Sequence, residues 1–236
     1  MAKHSKQYIS KTELVEKDKP YDIEEAVAVL KQSATAKFDE TVELHIKTGA
    51  DPRHAEQLVR GVALLPHGLG RDIRVLVFGN AETVANAQSA GADYVGDDDL
   101  IERIDGGWME FDVAIATPDM MGKIGKLGRV LGRKGLMPNP RTGTVVQAQD
   151  IGRAVEEAKM GRVEFRMDRS GIIHVPIGKA SFDADKLADN LKSIVDIIMR
   201  SRPSAVKGQF MRTAFITSTM GPSIKLDVSK LSVIAV

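Results

Sequence analysis

Residues 121–141 combine many cations with many glycines and contain no acidic residue. The nearest carboxylates on either side are those of Asp119 and Asp150. Lysine and arginine can therefore meet phosphate groups here without competition, and glycine allows close approach of the backbone. This composition indicates contact with a polyanion, although a solvated, flexible surface loop would have the same composition. The six cations are Lys123, Lys126, Arg129, Arg133, Lys134 and Arg141.

A second group of polar side chains lies on or near predicted strands. Residues 40–48 alternate between apolar and polar types, so Thr41, His45 and Lys47 share one face of a half-buried strand. Arg166 and Arg169 lie on or near a later strand of the same kind, and residues 217–221 offer three hydroxyls, a methionine and a glycine. Short polar side chains and backbone groups read the shallow minor groove of folded RNA, so these faces favour RNA. The 217–221 segment alone would equally suit an ordinary loop.

Sequence signatures of catalysis are missing. The chain has no G-x-G-x-x-G, Walker or G-x-S-x-G sequence, its five histidines fit no metal-ligand spacing, and it has no cysteine. The three carboxylates of residues 97–99 favour capping of a helix over a cation site. We therefore predict no catalytic residue, no metal and no cofactor. An α/β enzyme that binds a small molecule or nucleotide remains the alternative, because the middle of the chain has that fold class.

The order of the predicted elements indicates an α/β protein with two domains. Half-exposed strands at 40–48, 58–65, 162–167, 172–177, 211–217 and 223–228 flank a middle part with buried strands at 73–78 and 113–116. Helices are predicted at 21–31, 81–90, from Asp98, at 150–160 and at 182–200, with Asp22 and Glu25 close to a capping box at the first. The helix at 182–200 is predicted to be amphipathic, with an apolar stripe formed by Leu187, Leu191, Ile194, Val195 and Ile198. The turn at 168–171 predicts a hairpin between its flanking strands. The flanks are basic overall and the middle is acidic, although the formal net charge is only +1.

The simplest domain organisation is one domain inserted into another. Residues 1–67 and 160–236 would form a discontinuous α+β domain with an antiparallel or mixed sheet and helices. Residues 68–159 would form an inserted three-layer α/β domain that is Rossmann-like. Hinges at 66–70 and 160–161 would let the free protein sample open and closed arrangements. No apolar run is long enough to span a membrane, so a cytoplasmic location is expected.

Residues 132–145 read GRKGLMPNPRTGTV, which strongly resembles the signature of the bacterial ribosomal L-one family. The resemblance extends over nearly the whole chain. Arg133 stands where many members have proline, which implies a more flexible and more basic loop here. The other segments that resemble the family are residues 37–43, 60–61, 65–68, 91–96, 116–119, 178–182 and 219–223.

The resemblance implies an RNA-binding constituent of the large ribosomal subunit, in the cytoplasm and not at a membrane. Its first partner would be the 23S rRNA of the large subunit, bound directly at the mobile stalk and held chiefly by the discontinuous domain. The others would be exit-site tRNA, which it would help to release, and the mRNA of its own operon, whose translation it would repress. The same resemblance implies RNA contacts at Phe38, Thr41, Arg166, Asp168, Thr217, Thr219, Met220 and Gly221. His45 and Arg169 join this set because of their place on or near the polar strand faces.

Overall fold

The computed structural model describes residues 5–16 and 19–234. Its α-helices are α1 (Lys6–Glu13), α2 (Ile23–Ser33), α3 (Ala81–Ser89), α4 (Asp98–Asp105), α5 (Met121–Ile124), α6 (Gly128–Lys134), α7 (Ile151–Gly161), α8 (Ala184–Arg200) and α9 (Val228–Ile234). Its strands are β1 (Thr41–Thr48), β2 (Arg60–Leu64), β3 (Val75–Phe78), β4 (Tyr94–Gly96), β5 (Val113–Ala116), β6 (Arg162–Arg166), β7 (Ile172–Lys179), β8 (Met211–Ser218) and β9 (Ile224–Leu226). No helix in these ranges is long and apolar enough to cross a membrane.

The chain divides into two compact units. The first comprises residues 1–70 and 163–236, and the second comprises residues 71–162. The boundaries predicted from the sequence, after residues 67 and 159, lie three residues before these.

The first unit is built on an antiparallel sheet with the strand order β7-β1-β8-β9. The alternation predicted for β1 is observed: Val42, Leu44 and Ile46 are fully buried, and the residues between them are half-exposed. Each buried aliphatic side chain contributes about 1.5–3 kcal/mol. The buried face of the sheet packs against α2 and α8, whose apolar stripe was also predicted. One face of this sheet is therefore free of the core.

The hairpin predicted across residues 168–171 is wrong. The turn forms, but β6 pairs with β2 and β7 pairs with β1, so the two strands belong to different sheets. Only a single bridge, between Met167 and Ile173, joins the two strands where they meet the turn. Beside β1, Ile173, Val175 and Ile177 of β7 are buried in the core of the first unit.

The second unit is a three-layer α/β structure, as the sequence predicted. Its parallel sheet has the order β4-β3-β5, and the central β3 is buried along its whole length. Leu76 and Phe78 pack on one side with residues of α4, α5 and α6. Val75 and Val77 pack on the other side with residues of α3 and α7.

The two predicted carboxylate caps are confirmed only in position: the carboxylates lie at the helix starts, where they favour the helix dipole, but they form no capping hydrogen bond. Asp22 and Asp97 occupy N-cap positions but make no side-chain capping bond. The Asp22 carboxylate is instead 2.5 Å from Lys230 Nζ. Lys123 Nζ donates to Asp97 at 2.9 Å and to Asp98 at 3.0 Å. At both helices the carboxylate that was predicted to accept a backbone N–H forms an ion pair with a lysine instead.

Candidate nucleic-acid interface

The face of the four-stranded sheet opposite the core is called the outer face below. Strand pairing determines which residues belong to this face, because directly opposite residues on neighbouring strands point to the same side. The outer face is half-exposed and largely polar. Its members are Thr41, Glu43, His45 and Lys47 of β1, Ile172, His174 and Pro176 of β7, Thr213, Phe215 and Thr217 of β8, and Lys225 of β9.

At one end of the outer face, the start of β1 is bonded to the turn after β8. The N–H of Thr41 donates to Thr219 Oγ1 at 3.0 Å, and the N–H of Thr219 donates to the carbonyl of Thr41 at 3.1 Å. These bonds, with those of Glu40 to the N–H groups of Ala36 and Met220, bring together two segments that contain six of the predicted RNA contacts. That group, called the end cluster, consists of Phe38, Thr41, Thr217, Thr219, Met220 and Gly221.

A buried carboxylate shapes the end cluster from below. Glu40 is only 1% exposed and accepts hydrogen bonds from the Ser218 hydroxyl at 2.7 Å, the Met220 N–H at 2.8 Å and the Ala36 N–H at 3.0 Å. Burial raises the pKa of Glu40, but these bonds and the charge of Lys11 together lower it more, so the pKa lies below its ordinary value of 4.5. The ionised carboxylate therefore holds the 218–220 turn in place.

Two large apolar side chains are exposed in the two segments that Glu40 joins. Phe38 is 54% exposed and Met220 is 57% exposed. Beside them, Lys179 Nζ donates to Thr41 Oγ1 at 2.9 Å. The end cluster thus presents an aromatic ring, a thioether and hydroxyls, and Lys179 adds a cation beside it. The ring and the thioether can pack on a base or sugar, the hydroxyls can bind a 2′-hydroxyl, and the cation can bind a phosphate.

Gly221 is required by close packing. A Cβ atom at Gly221 would lie 2.4 Å from Ser218 Oγ, the atom that donates to Glu40. A side chain here would therefore displace the hydroxyl that anchors the turn.

Arg166, Asp168 and Arg169 do not join the end cluster. They lie at and before the turn that precedes β7. That turn is beside the last residues of the eight-residue β1, which places it about 24 Å from Thr41 at the usual strand rise. The Asp168 carboxylate accepts the N–H groups of Ile172 at 2.7 Å and Ser170 at 2.8 Å. The Ile172 bond is the main cause that lowers the pKa of Asp168, with smaller contributions from Ser170 and His174. This carboxylate forms the turn, and Arg166 and Arg169 are exposed near it.

His45 lies between the two ends, midway along β1. Its Nδ1 is 2.8 Å from Nδ1 of His174 on β7, and its Nε2 is 3.7 Å from the Glu43 carboxylate. Burial, followed by the charge of His174, lowers the pKa of His45, and Glu43 offsets this only in part. His45 is therefore neutral over a wider pH range than a free histidine.

Most of the basic segment is helical. Residues 121–134 form α5, a 3-10 turn and α6, and Ile124, Leu127 and Leu131 anchor them to the parallel sheet. Arg133 lies in the last turn of α6, so the position expected in a loop is helical. All six cations are exposed, but Lys123 is engaged by Asp97 and Asp98.

Sequence reasoning missed three residues of the site: Glu40, Lys179 and His174. Each acquires its role from a partner on another strand or turn, at separations of 129 to 178 residues. The one sequence signal for Glu40 is its position directly before an alternating strand, and its burial becomes evident only in the structure. In residues 5–16 and 19–234, no group of three or more His, Asp or Glu side chains could hold a metal ion.

Comparison with known proteins identifies the chain's relatives. Residues 30–222 match the model of the ribosomal protein L1p/L10e family. Proteins named large ribosomal subunit protein uL1 from three strains of Dehalococcoides mccartyi are each 53% identical to the chain over 232 residues, covering 98% of both sequences. A family match of this extent and relatives of this identity leave no other assignment, and the chain belongs to the ribosomal protein L1p/L10e family.

Proposed function

We propose that the protein is a structural component of the large ribosomal subunit that binds its rRNA through the end cluster. The relatives carry the name of a large-subunit protein and match almost the entire chain. The observation that supports this location most directly is the exposure of Phe38 and Met220 over a buried, ionised Glu40. Exposed apolar side chains that lie close together and are surrounded by polar groups are typical of a binding patch.

The end cluster has the donors and acceptors that a folded RNA requires. The Thr217 and Thr219 hydroxyls and the Gly221 backbone would contact 2′-hydroxyls and phosphates. Phe38 and Met220 would pack on sugar or base faces, and Lys179 would neutralise a phosphate. The Glu40 carboxylate would contribute indirectly, because it is buried and holds the turn that carries Met220.

The exposed cations of the second unit would provide a further phosphate contact. Lys126, Arg129 and Arg133 lie on the solvent side of the helical segment whose other side is buried. Lys123 would contribute less, because two aspartates already neutralise it. A separate cationic surface of this kind would suit exit-site tRNA, the second partner that the family resemblance implies.

The third implied partner is the messenger of the protein's own operon. A messenger segment that imitates the rRNA site would occupy the same end cluster, so rRNA and messenger would compete. Excess rRNA fragment should then displace a labelled leader fragment of the messenger, and simultaneous binding of both would contradict a shared site.

The central test is binding to the stalk fragment of large-subunit rRNA at several salt concentrations. We expect the affinity of the wild type to fall with salt and Met220→Ala to weaken it roughly tenfold, the effect of losing one packed contact on a base. Met160→Ala is the matched control, since Met160 is also exposed but lies on α7 of the other unit. Wild-type affinity no higher than for an unrelated RNA of equal length would refute the proposal.

A further inference from the structure

Three rings and a cation form one row across the outer face. His174 on β7 is directly opposite His45 on β1, His45 is opposite Phe215 on β8, and Phe215 is opposite Lys225 on β9. Directly opposite residues share a face and have Cβ atoms about 4.5–5.5 Å apart. The four side chains therefore lie side by side, with one contributed by each strand.

The rings of this row are accessible and partly fixed. The side chain of His174 is 50% exposed and that of His45 is 25% exposed, while Phe215 is half-buried. The two imidazoles meet at a centroid distance of 5.0 Å with an angle of 65° between their planes, and a hydrogen bond joins their Nδ1 atoms. Rings held in this way lose little conformational entropy when a flat ligand stacks on them.

The charges around the row favour an anionic ligand. Lys225 ends the row, Lys47 follows His45 by two positions on the same face, and Lys179 lies at the start of β1. The nearby carboxylates, Glu43 and Asp168, each face an imidazole, at 3.7 Å and 3.6 Å. The face thus carries three lysines against two carboxylates. Lys47 also donates to the carbonyl of Ser170, and Lys179 donates to Thr41 Oγ1, but these neutral acceptors leave both charges available to phosphates.

We propose that this row is a stacking platform for unpaired bases of the bound RNA, in addition to the contacts of the end cluster. The proposal rests on the RNA-binding function proposed above and adds a ligand class, namely single-stranded nucleotides. A four-stranded sheet with exposed rings is a known solution for stacking two or three bases, because every base has a flat π-face. His45 is four residues from Thr41, about 14 Å along β1, so one RNA can reach both surfaces.

The test uses two RNAs, a labelled oligouridine of about ten nucleotides and the folded stalk fragment, measured by fluorescence anisotropy. We expect Phe215→Leu and His174→Ala each to lower the affinity for oligouridine roughly five- to tenfold, the usual effect of losing one stacked base. The phenylalanine exchange keeps an apolar side chain, and the histidine exchange alters an exposed position, so at least one variant should fold normally. Ile172→Leu is the control, because it changes the same face without removing a ring. An abasic oligomer of equal length should bind the wild type as weakly as oligouridine binds the variants.

The outcomes separate this platform from the function on which it rests. Loss of stalk-fragment binding in Phe38→Leu, with both RNAs unaffected by Phe215→Leu and His174→Ala, would keep the end cluster and overturn the platform. Equal wild-type affinity for abasic and uridine oligomers would also overturn it. A wild type that does not recognise the stalk fragment would refute the proposed function, whatever happens with oligouridine. If the wild type bound neither RNA, both proposals would be overturned, and a protein partner would be the remaining candidate for the row.

Discussion

Thr219 Oγ1 accepts the backbone N–H of Thr41 at 3.0 Å, across 178 residues of sequence. The reverse bond, from the Thr219 N–H to the Thr41 carbonyl, is 3.1 Å long. Together they extend the pairing of β1 and β8 by one more step and bring the last turn of the sheet to its first strand. The side chain of Thr219 therefore has a structural role besides any contact with RNA.

Substitutions at Thr219 should separate these two roles. Thr219→Val removes the acceptor of the Thr41 N–H and should lower the free energy of unfolding by about 1 kcal/mol. Thr219→Ser keeps the oxygen and should preserve stability. Urea unfolding measures the first effect, and binding to the stalk fragment measures the second. If Thr219→Val and Thr219→Ser are equally stable, the bond to Thr41 contributes nothing.

Glu40→Gln should destabilise the first unit and weaken RNA binding together. The carboxylate accepts three hydrogen bonds, whereas glutamine offers one oxygen and an N–H₂ group that would oppose donors. The expected cost in unfolding free energy is about 2 kcal/mol, typical of lost hydrogen bonds to a charged group. Because the folded protein lowers the pKa of Glu40, its stabilisation is present above pH 4.5 and is lost as the pH falls through the lowered pKa. Acid titration of both proteins should show a smaller loss in the variant.

His45 should make stability decrease on mild acidification. The folded protein lowers the pKa of His45 below 6.5, so the unfolded chain binds a proton more readily. The stabilisation is complete above pH 6.5 and is lost as the pH falls through the lowered value. The groups that face His45 are His174 from β7, Phe215 from β8 and Glu43 from β1 itself. His45→Asn should flatten the change in thermal midpoint between about pH 7.5 and about pH 5, and an unchanged slope would contradict this assignment.

Alanine at two glycines should have opposite effects. Gly221→Ala places a methyl group 2.4 Å from Ser218 Oγ and should break the Ser218–Glu40 bond, lowering both stability and RNA affinity. Gly132→Ala on α6 meets nothing within 4 Å and should stabilise the second unit by about 0.5–1 kcal/mol through helix propensity. Thermal denaturation of both variants tests the pair. A harmless Gly221→Ala would mean that the 218–221 turn can shift freely.

Local patterns in the sequence predicted most of the fold. The alternation in β1, the buried run of β3 and the apolar stripe of α8 are each set by which side of the element faces the core. The family match confirms the predicted resemblance, and with it the prediction of a ribosomal protein in place of an enzyme.

The errors occurred where a distant partner decided the outcome. β6 and β7 flank a real turn, yet β7 pairs with β1, which precedes it by more than a hundred residues. Asp97 was expected to cap its own helix, but Lys123 reaches it from α5, a neighbouring helix in the same layer. Lys179 could not be placed beside Thr41 without knowing the register of β1 and β7. No local signal contains such information, because it arises from strand pairing and charge proximity in the folded chain.

The central position of β1 affects the order in which the protein can fold during its own synthesis. β1 is synthesised early, but its two neighbours, β7 and β8, are synthesised only after the whole of residues 71–162. The second unit has its strands and helices in one continuous stretch and can fold first. Throughout that interval Val42, Leu44 and Ile46 have no neighbouring strand. The nascent chain therefore exposes an apolar, aggregation-prone strand until β7 and β8 are synthesised or a chaperone binds it.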